Sequence, residues 1–241
     1  MSKETIVIID YGSGNLRSAA KAFEHVIARE SMDARVLISD QADDVLKADR
    51  IVLPGQGAFP DCMENLQSKT GMINALEERV LKGGKPFLGI CVGMQLLATR
   101  GLEHKVTAGL DWVPGQVVPF DAKPDWDSRL KIPQMGWNTL VMPNSGAQDN
   151  YHPVLKRACE TLNKSVQGST ESLSESEIHY YFVHSYMFEC EYNHHVLGLS
   201  DYGGLYASIV GRDNIVGVQF HPEKSQDTGL LLISDFLAWT P

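Results

Sequence analysis

The sequence predicts an α/β fold: a mostly parallel central sheet with helices on both faces and an antiparallel extension. Three observations predict it. Over the first hundred residues, short β-branched runs alternate with helical patterns, which is the pattern of βαβ units. Past Gly101, prolines at 114, 119, 124, 133 and 143 confine the chain to shorter strands and turns. Apolar stretches between residues 178 and 220 then lead into a last helical pattern.

In order, strands are expected at 5–10, 35–38, 50–53 and 86–90, followed respectively by helices at 16–29, 41–48, 59–81 and 94–98. Later strands are expected at 178–190, 195–200, 205–210 and 214–220, with a closing helix at 229–239. Residues 1–241 are read as one domain, because this length and a 43% hydrophobic content suffice for a substantial core. Two stretches fit no element. Residues 121–131 combine charge with Pro124, and 163–177 are rich in Ser, Thr and Glu with almost no apolar residues. Neither can offset its ordering entropy, so both are expected as surface insertions, with 163–177 the better candidate for disorder.

Thirty acidic against 21 basic residues give a formal charge of −9, which argues against a general nucleic-acid binder. No run approaches the ~18 apolar residues of a membrane span, and 6–9 is too short for a signal-peptide core. The four cysteines are scattered, without a Cys-x-x-Cys pair, so a reducing cytoplasm is the expected setting. Gly12-Ser13-Gly14 after the first strand resembles the opening of a dinucleotide loop, but Arg17 stands where that fingerprint needs a small residue. The adjacent His194 and His195, read as strand residues, point to opposite faces and are expected to be exposed. No cofactor and no metal are expected.

The chemistry-bearing residues fall at strand ends. Cys91 lies in Gly89-Ile90-Cys91-Val92-Gly93, between an apolar run and a helical pattern. Glycines flanking a nucleophile suit a strained strand-to-helix turn, which would expose Cys91 at a helix N-terminus where partial positive charge favours the thiolate. A buried structural cysteine is the commoner fate of this residue, but flanking glycines fit it poorly. Far downstream, Gln219-Phe220-His221-Pro222-Glu223 closes another apolar stretch. His221 and Glu223, two apart at a strand end, are expected to point the same way, histidine as base and carboxylate as its orienting partner. Asp10-Tyr11-Gly12 and Pro54-Gly55-Gln56-Gly57 fall at parallel-strand ends too, so three loops converge on one site.

These residues resemble a known family. The elbow 89–97 and the run Gln219-Phe220-His221-Pro222-Glu223-Lys224-Ser225 are similar to class I, triad-type glutamine amidotransferases. Residues 10–16, 54–59, 133–138 and 181–186 are similar, more narrowly, to the glutaminase subunits of imidazole glycerol phosphate synthase. The resemblance implies that Cys91 attacks the side-chain amide of glutamine, that His221 relays protons and that Glu223 holds His221. It also implies an oxyanion hole from the backbone of Val92 and of Gly55-Gln56, and substrate contacts from Gly57, Gln95, Ser185 and Tyr186. The implied partner is a (β/α)8-barrel cyclase subunit, in a heterodimer through which ammonia is channelled, with Asn15, Trp137, Tyr181 and Lys224 at the contact. Trp137 and Tyr181 read equally well as core aromatics, and Lys224 as a solvated lysine. Gln56 departs from the aliphatic residue common at its place, and the chain is longer than the compact family pattern.

Three rival readings fit these residues less well. An amidotransferase serving another pathway is disfavoured by the four narrower motifs. A thiol hydrolase of glutamyl peptides has no need of a contact loop at 12–16. A non-catalytic member of the fold would have lost part of the triad.

Overall fold

A computed structural model describes residues 3–124, 126–143, 152–160 and 178–241. The expected stretch 163–177 lies outside the described residues.

Strands β1 (Glu4–Ile9), β3 (Arg50–Gly55) and β4 (Phe87–Cys91) are interior almost throughout, as continuous apolar runs require when both sheet faces are covered. The edge strand β2 (Ala34–Ser39) is only partly buried. Between β1 and β2, helix α1 (Leu16–Arg29) buries Ala19, Ala20, Phe23, Val26 and Ile27 along one stripe. Its N-cap is Asn15, whose side chain accepts from Ser18 N at 3.4 Å.

The next three helical patterns give shorter helices than they suggested. The expected helix at 41–48 is the single turn α2 (Ala42–Val45). The one expected at 59–81 is interrupted: α3 (Phe59–Ser68) ends, Gly71 takes φ 75°, and α4 (Met72–Leu76) runs into a π-helical turn at Glu77–Lys82. Helix α5 (Val92–Gln95), after Cys91, is also one turn.

The second half supplies β5 (Arg100–Gly101), β6 (Thr107–Ala108), β7 (Gly115–Pro119), β8 (Gln134–Thr139), β9 (His179–His184), β10 (Tyr186–Cys190), β11 (Val196–Asp201), β12 (Leu205–Arg212) and β13 (Ile215–Val218), followed by α6 (Gln226–Ala238). An eleven-stranded sheet runs β2-β1-β3-β4-β13-β12-β10-β7-β5-β6, with β11 also on β12. From β2 to β13 neighbours are parallel, and β13, β12, β10 and β7 are successively antiparallel. The expected strand at 178–190 is two strands, broken at Ser185, because β9 leaves the main sheet to form a ribbon with β8. Helix α1 packs against β2 and α6, with Phe23 meeting Phe236 edge-on at 6.2 Å.

Two expectations change. After a 3-10 turn at Phe120–Ala122, the described residues up to 131 are irregular but anchored: Trp126 stacks on Phe120 at 5.7 Å and Lys123 Nζ donates to Gly204 O at 2.9 Å. One indole supplies the apolar area that the charge-rich composition concealed. His194 and His195 lie in a 3-10 turn, not in a strand. His195 is therefore buried, its ring 4.3 Å from that of His194.

Candidate active site

Cys91 ends β4, and β13 lies beside β4 in parallel register, Val218 opposite Ile90. That pairing carries residues 219–223 to the nucleophile from more than a hundred positions away. On the other flank Gly55, at the end of β3, is the register partner of Cys91. The elbow needs its glycine at 93, because a Cβ there would run into the Leu53 carbonyl. Small residues thus let α5 sit against β3, and Cys91 turns between them at φ 55°.

The sulfur is not exposed as expected: Cys91 is only 4% accessible. Its thiol lies 3.8 Å from Val183 O, Gln219 Nε2 lies 3.7 Å from the sulfur, and His221 is near enough for the sulfur to act on it electrostatically. His221 and Glu223 sit beyond the last strand, Glu223 within a 3-10 turn at Pro222–Lys224. The alternation of a strand is therefore not what joins them, yet His221 Nδ1 is 2.9 Å from Glu223 Oε1. The backbone of His221 is held by Tyr181 O at 2.9 Å and by Ser225 Oγ, 2.7 Å from its carbonyl.

Burial alone would push the His221 imidazole down. Hydrogen bonds and charge from Cys91 and Glu223 outweigh it and hold the group up at about 9. Glu223 Oε2 is buried with no hydrogen-bond partner among the described residues, so the carboxylate faces mainly His221. With Nδ1–H committed to Glu223, Nε2 is the ring nitrogen left to exchange a proton with a nucleophile.

A cleft of about 250 Å³ opens on this pair, lined by Gln56, Gly57, Val92, Gln95, Ser185, Tyr186 and Lys224 among others. The candidate substrate residues are thereby brought together. Gln95 Nε2 lies 3.0 Å from Gln219 Oε1 and 3.4 Å from Tyr186 O. Val92 is the first residue of α5, where a backbone N–H has no intrahelical acceptor. The N–H of Gln56, by contrast, is engaged by Ser13 Oγ at 3.0 Å. That hydroxyl also bonds Gln56 O and lies 3.3 Å from Cys62 Sγ.

Of the four candidate contact residues, Asn15, Trp137 and Tyr181 lie outside the cleft lining and Lys224 lies in it. Trp137 and Tyr181 are cross-strand partners on the β8–β9 ribbon, rings 5.9 Å apart. Trp137 is 48% exposed and is no core aromatic. Lys224 is exposed at the cleft, and Asn15 is exposed as the cap of α1. Two cleft residues have a part that no motif of the sequence assigns. Glu103 brings a carboxylate to the lining while Oε2 accepts from Phe59 N at 2.7 Å. His184 is buried behind Tyr186, its Nδ1 2.8 Å from Tyr186 O, and burial pushes it down to about 4. Among the described residues no cluster of three or more His, Cys, Asp or Glu is arranged to hold a metal ion, and no helix is long and apolar enough to cross a membrane.

Comparison with known proteins gives the family. The family model for glutamine amidotransferase class-I matches residues 7–238. The chain is 48% identical to imidazole glycerol phosphate synthase subunit HisH of Cereibacter sphaeroides, over 98% of this chain and 99% of that protein. It is 47% identical to the subunit of the same name from Agrobacterium fabrum, over 98% and 99%. Among solved structures, a glutamine amidotransferase matches with TM-score 0.61 at 15% identity, covering 95% of this chain and 98% of that one. Another, from Thermotoga maritima, matches with TM-score 0.57 at 13% identity, covering 99% and 84%; both likenesses concern the fold alone. The chain belongs to the class-I glutamine amidotransferase family.

Proposed function

We propose that this chain is the glutaminase subunit of an imidazole glycerol phosphate synthase, its whole length forming one glutaminase domain. The observation that carries the reading is the triad at the floor of the cleft, together with 48% identity across the HisH subunit. Cys91 as thiolate adds to the side-chain amide carbon of glutamine. The tetrahedral intermediate collapses as His221 gives its proton to the departing nitrogen, leaving ammonia and a glutamyl thioester. Water then attacks the thioester carbon while His221 takes its proton, and the sulfur leaves as thiolate with release of glutamate. Glu223 holds the imidazole in the tautomer that both steps use.

Gln95, Gly57 and the Ser185-Tyr186 backbone hold the amino-acid end of glutamine, and Glu103 faces its ammonium group. The Val92 N–H serves the oxyanion. For Gln56 to add a second donor, its bond to Ser13 must break, a cost of about 0.5–1.5 kcal/mol. Lacking such a donor costs about 2.7–4 kcal/mol of barrier, so an oxyanion strip with Gln56 latched is slow and one released is fast. Ammonia is useful only if delivered before it is protonated in water. The partner is therefore a cyclase subunit docked over the cleft mouth as a heterodimer in the cytoplasm, with Asn15, Trp137, Tyr181 and Lys224 at the contact. The exposed apolar side chains of Ile132, Met135 and Trp137 support that face.

The test is glutamate release by the chain alone, with the cyclase subunit, and with cyclase plus its nucleotide substrate. Low activity alone and a large rise with the loaded partner is the expected result. Strong unstimulated hydrolysis of glutamyl peptides would overturn the reading.

A further inference from the structure

We propose that Gln219 is a further catalytic residue: its side-chain amide donates a hydrogen bond to the Cys91 sulfur while its carbonyl fixes the orientation of Gln95. The proposal rests on Cys91 being the nucleophile, as read above. Gln219 has no solvent exposure, and one side chain touches both the reacting atom, at 3.7 Å, and the substrate residue, at 3.0 Å.

The two ends of an amide differ only in what they can bond, so their assignment must come from groups that act in one way. The Tyr186 carbonyl is such a group. It can only accept, and it lies 3.4 Å from Gln95 Nε2. Gln95 therefore turns its NH₂ toward Tyr186 and Gln219, and Gln219 answers with Oε1. Its own NH₂ is left facing the sulfur. The far end of this chain is pinned by His184, which is neutral because it is buried, and whose Nδ1 carries its proton to the same carbonyl at 2.8 Å.

Around the sulfur the groups oppose one another. The Val183 carbonyl at 3.8 Å can only accept, so it favours the protonated thiol. Gln219 instead offers the sulfur a donor. His221 must pass its proton to the leaving nitrogen, whereas an amide keeps its hydrogens through the whole cycle. Gln219 thus serves the sulfur both as attacking thiolate and as the group expelled from the thioester.

Alkylation of Cys91 by iodoacetamide at neutral pH, followed by peptide mass spectrometry, reads the nucleophile without glutamine being bound. It is to be run on the complex with the cyclase subunit. Gln219→Met keeps length and volume but has no donor. Its alkylation is expected to slow by about tenfold or more, the size of a hydrogen bond to a charged group, and its KM for glutamine to rise as Gln95 loses its anchor. Gln219→Asn retracts the amide by one methylene; it is expected to slow alkylation severalfold with a melting temperature near wild type. A wild-type alkylation rate in either folded variant overturns the proposal. A third measurement needs no variant. The Gln219 side-chain amide resonance of the wild-type protein is expected to shift when Cys91 is alkylated, and a resonance that stays put overturns the proposal as well. Alkylated wild-type protein that still hydrolyses glutamine would instead sink Cys91 as nucleophile, an outcome distinct from the failure of Gln219.

Discussion

Cys91 holds φ 55° and ψ −113°, and keeping a residue other than glycine in so sparsely populated a conformation costs of order 1–3 kcal/mol. Cys91→Ala keeps the Cβ and hence that strain, so it changes the electrostatics of the site while sparing the fold. In the wild type the His221 group stands at about 9, above its ordinary value, because Cys91 and Glu223 outweigh burial. Removing the sulfur removes the larger of those two supports. An NMR titration of the His221 ring in Cys91→Ala is expected to give a value clearly below about 9; an unchanged value would show that Glu223 alone sets it. Stability follows with a definite sign. A raised folded value means that protonated His221 stabilises the fold fully below its ordinary value near ~6.5, and that this stabilisation drains away as pH rises through about 9. Cys91→Ala should lose less over that window. The triad was legible in sequence because each part sits in a short run with its own local logic. Gln219, Glu103 and Ser13 were not, since their roles arise only from what the fold sets beside them, such as Gln95, 124 positions away from Gln219.

Helix and strand boundaries were read well where a single stripe of apolar residues decides them, as in α1, whose bounds match the expected 16–29. They were read badly where tertiary contacts decide. In the 59–81 pattern apolar residues recur on both sides of Lys69-Thr70-Gly71, Leu66 before and Met72 after, so a helical period can be drawn through a point where the backbone breaks. The stretch at 121–131 is the opposite case. Its charge and Pro124 argue for a surface insertion, and within it Trp126 packs between Phe120 and Tyr202, at 5.7 and 6.0 Å. This matters to the site because Phe120 N donates to Ser185 O at 3.2 Å, steadying backbone that faces glutamine. Trp126→Ala is expected to destabilise the fold by about 2 kcal/mol, less than the ~3–5 kcal/mol of a fully buried tryptophan because this one is half-buried. The midpoint of urea unfolding checks it. KM for glutamine should rise with kcat nearly unchanged, and a variant altered in kcat alone would mean that the segment does not act through Ser185.

At the scale of the whole molecule, the alternation of strands and helices specifies the parallel half, because each βαβ unit is local in sequence. What it leaves open is where the last strand goes. β13 slots beside β4 through pairs such as Gly217 with Gly89, and only that insertion puts His221 against Cys91. The same insertion links chemistry to the outer face: the His221 N–H is held by Tyr181 O, while Tyr181 pairs with exposed Trp137 on the β8–β9 ribbon. A subunit seated on that ribbon would press on backbone one hydrogen bond from His221. If glutamine hydrolysis and ammonia use are separate tasks of two subunits, losing the nucleophile should abolish only the first. The complex formed with Cys91→Ala is expected to make no product from glutamine while making it from ammonium salts at the wild-type rate, measured as imidazole glycerol phosphate formed at elevated pH. Retained strain at position 91 makes this a clean comparison, because the variant presents the same ribbon to its partner. Loss of both activities would place Cys91 in the architecture of the complex instead of in its chemistry.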